Sequence, residues 1–152
     1  MGQDYPLEII QGSSPRIHLH QNLLLAVVRD KQADNSALIK RLLINWYQQY
    51  AEIKLREKTQ HYANLIGVTP ASIVVKTFKA RWGSCSSKAD IHYNWKLIMA
   101  PDEVVDYVVV HELCHILHHN HSPAFWKTVE FYWPTYRDCK EWLKLNGKRL
   151  EM

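Results

Sequence analysis

The histidine-rich run from residue 111 to 121, HELCHILHHNH, holds the residues whose types and spacing could do chemistry. His111, Glu112 and His115 form the pattern HExxH within it. Because residues i and i+4 of a helix lie on the same face, both imidazoles can bind one zinc ion from one side. Glu112 can then reach a water molecule on that ion without being a ligand. The pattern is typical of zinc-dependent hydrolases of the metallopeptidase kind.

A third protein ligand is expected, because catalytic zinc usually has three protein ligands and one position for water. The candidates are the histidines and glutamates that follow the motif: His118, His119, His121, Glu130 and Glu141. A straight helix would place His119 about 12 Å from His111, too far for one ion. His121 can approach from another direction if the helix ends before it. Its spacing equals that of the motif HExxHxxGxxH, with His118 in place of the glycine. We therefore predict His121 as the third ligand, with Glu130 as the alternative.

The predicted chemistry is proton transfer by Glu112. It would accept a proton from zinc-bound water that attacks a polarised carbonyl, and would return that proton to the leaving amine. The oxyanion needs a second stabiliser. Backbone N–H groups near Gly83 and Ser84 could serve, as could one of four side chains: Arg81, His92, Tyr93 and Tyr136.

Helices must position these groups. The motif is predicted to lie on a helix over 102–119, because Pro101 precedes two acidic residues and an apolar pattern of helical period. A long helix over 36–66 is expected to end at Gly67. Two short helices, over 123–133 and 135–146, follow the motif.

Strands are predicted before and after the long helix. Residues 5–28 form extended segments within a short β-rich N-terminal part, residues 1–35. Segments 72–79 and 91–98 flank a loop and are expected to pair as a hairpin. This predicts an α+β fold in which a small antiparallel sheet packs against the long helix and the HExxH helix, followed by two short helices. The length favours one domain, 1–152.

The loop between the hairpin strands is the expected substrate-binding region. An extended peptide can pair with an edge strand, and Gly83 permits close backbone approach. The candidate substrate-binding residues are Arg81, Trp82, Gly83, Ser84 and Tyr93. Asn94 is expected to orient a ligand imidazole. A structural turn at residues 82–85 and an ordinary backbone hydrogen bond from Asn94 remain alternatives.

Composition narrows the class of protein. No run of 18 apolar residues is present, so no membrane span is expected. Three cysteines at no metal-ligand spacing indicate reduced thiols and a cytoplasmic location. The net charge of +4 is spread over the chain, which favours a solvated surface over weak nucleic-acid association. The sequence leaves the oligomeric state open.

Several segments together resemble the YgjP-like metallopeptidase domain, which is related to SprT-like and WLM domains in the zincin group. The matching segments are Arg81–Cys85, Ile91, Asn94, Asp106–His115, Asn120–Ser122, Phe125–Trp126, Pro134 and Trp142–Leu143. The resemblance covers roughly residues 40–147 and implies a zincin-like fold and a zinc-dependent hydrolase. It also implies one zinc ion, held by His111, His115 and His121. Members usually carry a longer N-terminal β-rich part than the 35 or so residues here.

Three functions remain open at this point. The first is a zinc metallopeptidase that acts on a peptide or protein substrate. The second is a metal-dependent hydrolase of nucleotides, against which the lack of a phosphate-binding Gly-rich loop counts. The third is a non-catalytic, zinc-stabilised module associated with nucleic acid. Glu112 favours catalysis, because a purely structural zinc site has no use for a carboxylate at that position.

Overall fold

The computed structural model describes residues 2–152 and has an α+β architecture, as expected. Its strands are β1 Leu7–Gln11, β2 Arg16–His20, β3 Leu23–Val28, β4 Ser72–Lys76, β5 Gly83–Cys85 and β6 Asp90–Asn94. Its α-helices are α1 Ser36–Ile66, α2 Asp102–Leu117, α3 Pro123–Tyr132 and α4 Tyr136–Asn146, with short 3₁₀ turns at Trp95–Met99 and Gly147–Arg149. Among the described residues, no helix combines the length and apolarity needed to cross a bilayer.

The N-terminal strands form a sheet of their own, in the order β1-β3-β2. Strand β1 runs parallel to β3, and β2 runs antiparallel to it. Gln21 and Asn22 make the tight β2–β3 turn with positive φ angles of 47° and 64°. Ala26 and Val28 on β3 are fully buried and cluster with Ile39 of α1. The predicted N-terminal strands are therefore confirmed, and they pack on the beginning of the long helix.

The second sheet is mixed, so the predicted antiparallel pairing of 72–79 with 91–98 is wrong. Its order is β4-β6-β5, with β4 parallel to β6 and β5 antiparallel to β6. The intervening loop contributes its own short strand, which occupies the antiparallel position beside β6. Strand β6 ends at Asn94, because the Asn94 carboxamide oxygen accepts a hydrogen bond from the Lys96 N–H and caps the 3₁₀ turn.

The helices carry most of the core. Helix α2 is buried on nearly every side, through Val104, Val105, Tyr107, Val108, Val109, Val110, Leu113 and Cys114. Leu55 of α1 and Phe125 and Val129 of α3 are also fully buried in this core. Each such side chain stabilises the fold by roughly 1.5–3 kcal/mol relative to exposure. The HExxH helix is therefore a rigid central element, which suits a site that needs fixed geometry.

The helix ends explain how the chain turns back toward α2. Gly67 adopts the left-handed conformation with φ 78° and ends α1, as predicted. Helix α2 ends at Leu117, two residues earlier than predicted, because His118 is extended at φ −137° and ψ 103°. Ser122 then starts α3, where its hydroxyl accepts a hydrogen bond from the Phe125 N–H. The chain therefore reverses its direction within residues 118–122.

Candidate metal centre

Three imidazole rings converge at the C-terminal part of α2. His111 and His115 lie one helical turn apart, with ring centres separated by 4.9 Å. His121 reaches them from the segment between α2 and α3. Its Nε2 lies 3.1 Å from His115 Nε2 and 3.3 Å from His111 Nε2. Two ligand nitrogens at 2.0–2.1 Å from a tetrahedral zinc ion are about 3.3 Å apart. The two separations from His121 fit a shared zinc ion, and one ligand nitrogen from each of the three histidines lies within 4.8 Å of the others.

The rival ligand candidates lie elsewhere. His118 Nε2 is 3.1 Å from Thr128 Oγ1, and His119 is exposed. Glu130 pairs with a surface arginine at 3.5 Å, and Glu141 lies 3.9 Å from a surface lysine. Within residues 2–152, the one group of His, Cys, Asp or Glu side chains placed to hold an ion consists of the three converging histidines. A fourth coordination position would therefore remain free of protein.

Hydrogen bonds and burial hold the rings in the metal-binding form. His115 Nδ1 lies 3.1 Å from the His118 carbonyl oxygen, which can only accept, so Nδ1 carries the proton and Nε2 keeps its lone pair. The Phe125 ring stacks on His115 at 4.3 Å. Burial, with the positive forms of the neighbouring imidazoles, lowers the pKa of His111 to about 3. Burial also lowers the pKa of His115. Both rings are thus neutral at physiological pH.

Glu112 follows His111 on α2, and its side chain packs against strand β5. Its side chain is only 6% exposed. A Cβ atom placed on Gly83 would lie 2.8 Å from both Cγ and Oε1 of Glu112, so only glycine leaves room for the carboxylate there. Burial raises the pKa of Glu112 to about 8, although the nearby positive charge of Arg81 opposes that shift. A carboxyl group with a pKa near neutrality suits acid–base chemistry.

Strand β5 presents backbone groups at an open edge. It is the outer strand of its sheet, and its antiparallel ladder with β6 is continued by bonds from Asn94 N–H to the Trp82 carbonyl and from Ser86 N–H to the Asp90 carbonyl. Hydrogen-bonded pairs alternate along such a ladder. The N–H and C=O groups of Gly83 and Cys85 therefore face away from β6, toward the free edge.

Two of the predicted site residues, Tyr93 and Asn94, stabilise the fold and do not line the metal centre. Tyr93 is fully buried and its hydroxyl lies 3.0 Å from Thr59 Oγ1, so the expectation that it contacts substrate is wrong. Asn94 does not approach the histidines. Its amide donates hydrogen bonds to the carbonyls of Phe78 and Arg81, which holds the loop that crosses between β4 and β5. Both side chains lie on the strand that is central in the sheet, where burial is greatest.

Of the remaining predicted substrate-binding residues, two act on Glu112. Gly83 touches it, and Arg81 is exposed and contributes charge. Trp82 is half-buried and its ring packs over Gly147, near the C-terminus. Ser84 pairs with His92 across the ladder. The structure therefore brings Gly83 and Arg81 to the site, while Trp82 packs against the C-terminal turn.

Two aromatic residues wall the cluster: Trp126, whose role was not predicted from the sequence, and Tyr136, a predicted candidate for oxyanion stabilisation. The Trp126 ring stacks on His121 at 5.7 Å, and Tyr136 stacks on Trp126 at 5.2 Å. Trp126 follows the Ser122 cap by four residues, which places it on the first turn of α3 facing the histidines. The spacing of four residues from the cap could have predicted this contact, but only together with the knowledge that His121 turns toward α2.

Comparison with known proteins supports a metallopeptidase fold. A family model described as "YgjP-like, metallopeptidase domain" matches residues 1–146, which extends the resemblance expected for residues 40–147 to the N-terminal strands. No curated protein sequence matches the chain significantly. Among solved structures, the metallopeptidase zymogen of Pyrococcus abyssi abylysin aligns with a TM-score of 0.54 and 21% identity. The alignment covers 62% of this chain and 93% of that one, and it shows likeness of fold.

Proposed function

Because the chain belongs to the YgjP-like metallopeptidase family, we propose that it is a zinc-dependent hydrolase that cleaves peptide bonds, with His111, His115 and His121 as metal ligands and Glu112 as the general base. The observation that carries this proposal is the convergence of three Nε2 atoms at 3.1 and 3.3 Å beside a buried carboxylate. A divalent metal follows from the family, and three imidazole nitrogens with one open position are a donor set typical of catalytic zinc.

The metal, when bound, would acidify a water molecule and polarise the substrate carbonyl. Glu112 accepts a proton from the attacking water at its carboxylate and returns it to the leaving amine. Burial raises the pKa of Glu112 to about 8, and the charge of a bound cation would lower it again, so the carboxylate that accepts the proton would be present near neutral pH. Arg81, whose positive charge acts on Glu112, is our candidate for stabilising the negative charge that develops on the carbonyl oxygen.

Strand β5 is proposed to hold the substrate backbone. The outward N–H and C=O groups of Gly83 and Cys85 can pair with an extended peptide as an added strand. Because the Gly83 backbone contacts Glu112, a peptide paired with this edge would pass directly beside the carboxylate. Phe125, which is fully buried, stacks on His115, and Trp126 stacks on His121, so aromatic rings back two of the imidazoles.

The competing function of a structural zinc module is disfavoured by the number of ligands. A closed structural site has four protein ligands, whereas the cluster within residues 2–152 contains three. Of the two histidines that could complete it, His118 bonds Thr128 and His119 is exposed. The buried Glu112 beside an incomplete ligand set is the arrangement that catalysis requires.

We also propose that residues 1–152 form one domain in the cytoplasm. The long helix α1 contacts strands of both sheets, since Ile39 packs with the N-terminal strands and Leu55 lies in the main core. All three cysteines are free, in keeping with a reducing compartment.

The test compares zinc-loaded wild-type protein with Glu112→Gln on an unfolded casein-like protein and on nucleoside triphosphates. Zinc content is measured in each preparation. We expect peptide hydrolysis to fall about 100-fold or more in Glu112→Gln while zinc stays bound, because general-base catalysis contributes roughly 10²–10⁴-fold. Glu130→Gln, an exposed glutamate on α3, is the matched control and should keep full activity. Equal activity of Glu112→Gln and wild type would reject the proposal. Cleavage of nucleotides alone would replace it with the function of a metal-dependent nucleotide hydrolase.

A further inference from the structure

An open pocket of about 670 Å³ lies beside the metal centre, between α3 and α4. Its wall is formed by Trp126, Tyr136, Arg137, Lys140, Glu141 and Lys144. Stacked rings connect it to the histidines, because Trp126 lies against His121 on one side and Tyr136 on the other, each at an interplanar angle of 21°. The pocket therefore lies next to the proposed metal centre, and the Trp126 ring forms the wall between them.

Positive charge dominates this pocket, and Lys140 is its least neutralised cation. Arg137 pairs with Glu130 at 3.5 Å, and Lys144 lies 3.9 Å from Glu141, both in exposed positions. Lys140 forms no ion pair with a carboxylate of residues 2–152. Its ammonium lies 4.5 Å from the centre of the Trp126 ring, a cation–π contact that holds it over the pocket floor.

The ammonium lies within reach of a substrate bound at the metal centre. Lys140 Nζ is 4.5 Å from the Trp126 ring centre, which is 5.7 Å from the His121 ring centre, so the ammonium is at most about 10 Å from that imidazole. An extended chain advances about 3.3–3.6 Å per residue. A side chain within three residues of the reacting bond can therefore reach Lys140.

We propose that this pocket, here called the Lys140 subsite, binds the carboxylate side chain of an Asp or Glu within three residues of the scissile bond of a peptide substrate. The inference rests on the proposed peptidase function and deepens it by naming the substrate class. Lys140 supplies the charge, and the side chains of Trp126 and Tyr136 line the pocket beside it. An acidic residue is favoured over an apolar one because the aromatic floor carries an ammonium that no carboxylate of the described residues neutralises.

The first experiment measures binding to the zinc-loaded Glu112→Gln protein by fluorescence anisotropy. Labelled, amidated hexapeptides carry Glu or Gln at one position at a time. We expect one Glu peptide to bind about three- to fivefold more tightly than its Gln counterpart, the size expected of one partly solvated ion pair. Lys140→Gln should reduce that preference below about twofold. Lys127→Gln, an exposed lysine of α3 that is not part of the pocket wall, should keep it.

A second set of peptides distinguishes the sources of the carboxylate. The same sequences are made without acidic side chains and with a free C-terminus in place of the amide. A Lys140-dependent gain seen only with free C-termini would mean that the subsite binds the chain end, and would overturn the assignment to an acidic side chain. A Lys140-dependent gain seen only with nucleoside triphosphates would overturn it in favour of a phosphate ligand.

The outcomes separate this inference from the proposed function. If wild-type protein cleaves peptides but its preference for Glu survives Lys140→Gln, the subsite is wrong and the peptidase stands. If Lys127→Gln lowers the preference as much as Lys140→Gln, the effect comes from overall charge and the subsite is again wrong. If wild type and Glu112→Gln hydrolyse peptides equally, or if neither binds peptide, the proposed function fails and the subsite fails with it.

Discussion

The contact between Gly83 and Glu112 gives the sharpest test of the proposed geometry. Gly83→Ala would add a methyl group 2.8 Å from Glu112 Cγ and Oε1, whereas ordinary contacts begin near 3.4 Å. The φ angle of Gly83 is not in the left-handed region, so the backbone itself tolerates alanine. The buried carboxylate must therefore retreat by about 0.6 Å or more to restore an ordinary contact.

That movement is expected to lower both the free energy of unfolding and the catalytic rate. Extra methyl groups in a packed interior cost about 1–3 kcal/mol of unfolding free energy. A displacement of about 1 Å in a catalytic group can lower the rate roughly 100-fold. We therefore expect kcat to fall about tenfold to 100-fold in Gly83→Ala, with zinc affinity unchanged, because the atoms nearest to the added methyl group all belong to Glu112.

A double-mutant cycle isolates the clash. Urea unfolding is measured for Gly83→Ala in the wild-type background and in the Glu112→Ala background, where the opposing side chain is gone. The cost of Gly83→Ala should drop from about 1–3 kcal/mol to within about 0.5 kcal/mol of zero. Ser84→Ala on the same strand controls for general effects on β5. Equal costs in the two backgrounds, or wild-type kcat in Gly83→Ala, would refute the reasoning.

Three further predictions follow from other contacts. His121→Ala should weaken zinc binding more than about 100-fold, whereas His118→Ala should change it little, because the His118 ring bonds Thr128. Competition with a chelator measures the zinc affinity of both variants. The reverse order of affinities would reject the ligand assignment. Tyr93→Phe should lower stability by about 1 kcal/mol yet leave kcat/KM within about twofold, because its hydroxyl lies in the core; a large loss of kcat/KM would return it to the active site. Lys58→Met should cost about 2 kcal/mol near neutral pH by urea unfolding, since Lys58 pairs at 2.6 Å with Asp106, whose side chain is 13% exposed. Burial alone would lower the pKa of Lys58, but its carboxylate partners raise it. The stability from this ion pair is therefore present below the pKa of an unfolded lysine and is lost as the pH rises through the pKa of Lys58 in the folded protein. A cost of Lys58→Met that persists above that pH would contradict this account.

Much of the site depends on local patterns that a sequence displays directly. The i, i+4 spacing determines that His111 and His115 share a helix face, and Pro101 with the acidic first turn marks where that helix begins. The motif, the helix order and the α+β class were predictable for this reason, and the helix bounds agreed within one or two residues.

The details that failed depend on contacts between distant segments. An antiparallel hairpin was the simplest pairing for two strands joined by a loop, yet the loop formed β5 and displaced that pairing. Tyr93 and Asn94 sit on the central strand, and alternation along a strand does not tell which face or which neighbour will bury them. Their exclusion from the active site followed only from the sheet order.

The residue types and their spacing along the chain determined that a helix would carry two imidazoles and a carboxylate suited to a hydrolytic metal. Only the tertiary structure determined that α2 ends at Leu117, so that His121 turns back to the other two rings, and that Glu112 is buried against Gly83. Helical spacing is a property of a few consecutive residues. The path of a turn and the burial of a charge depend on every element packed around them, because desolvation and steric contact are set by neighbours far away in the sequence.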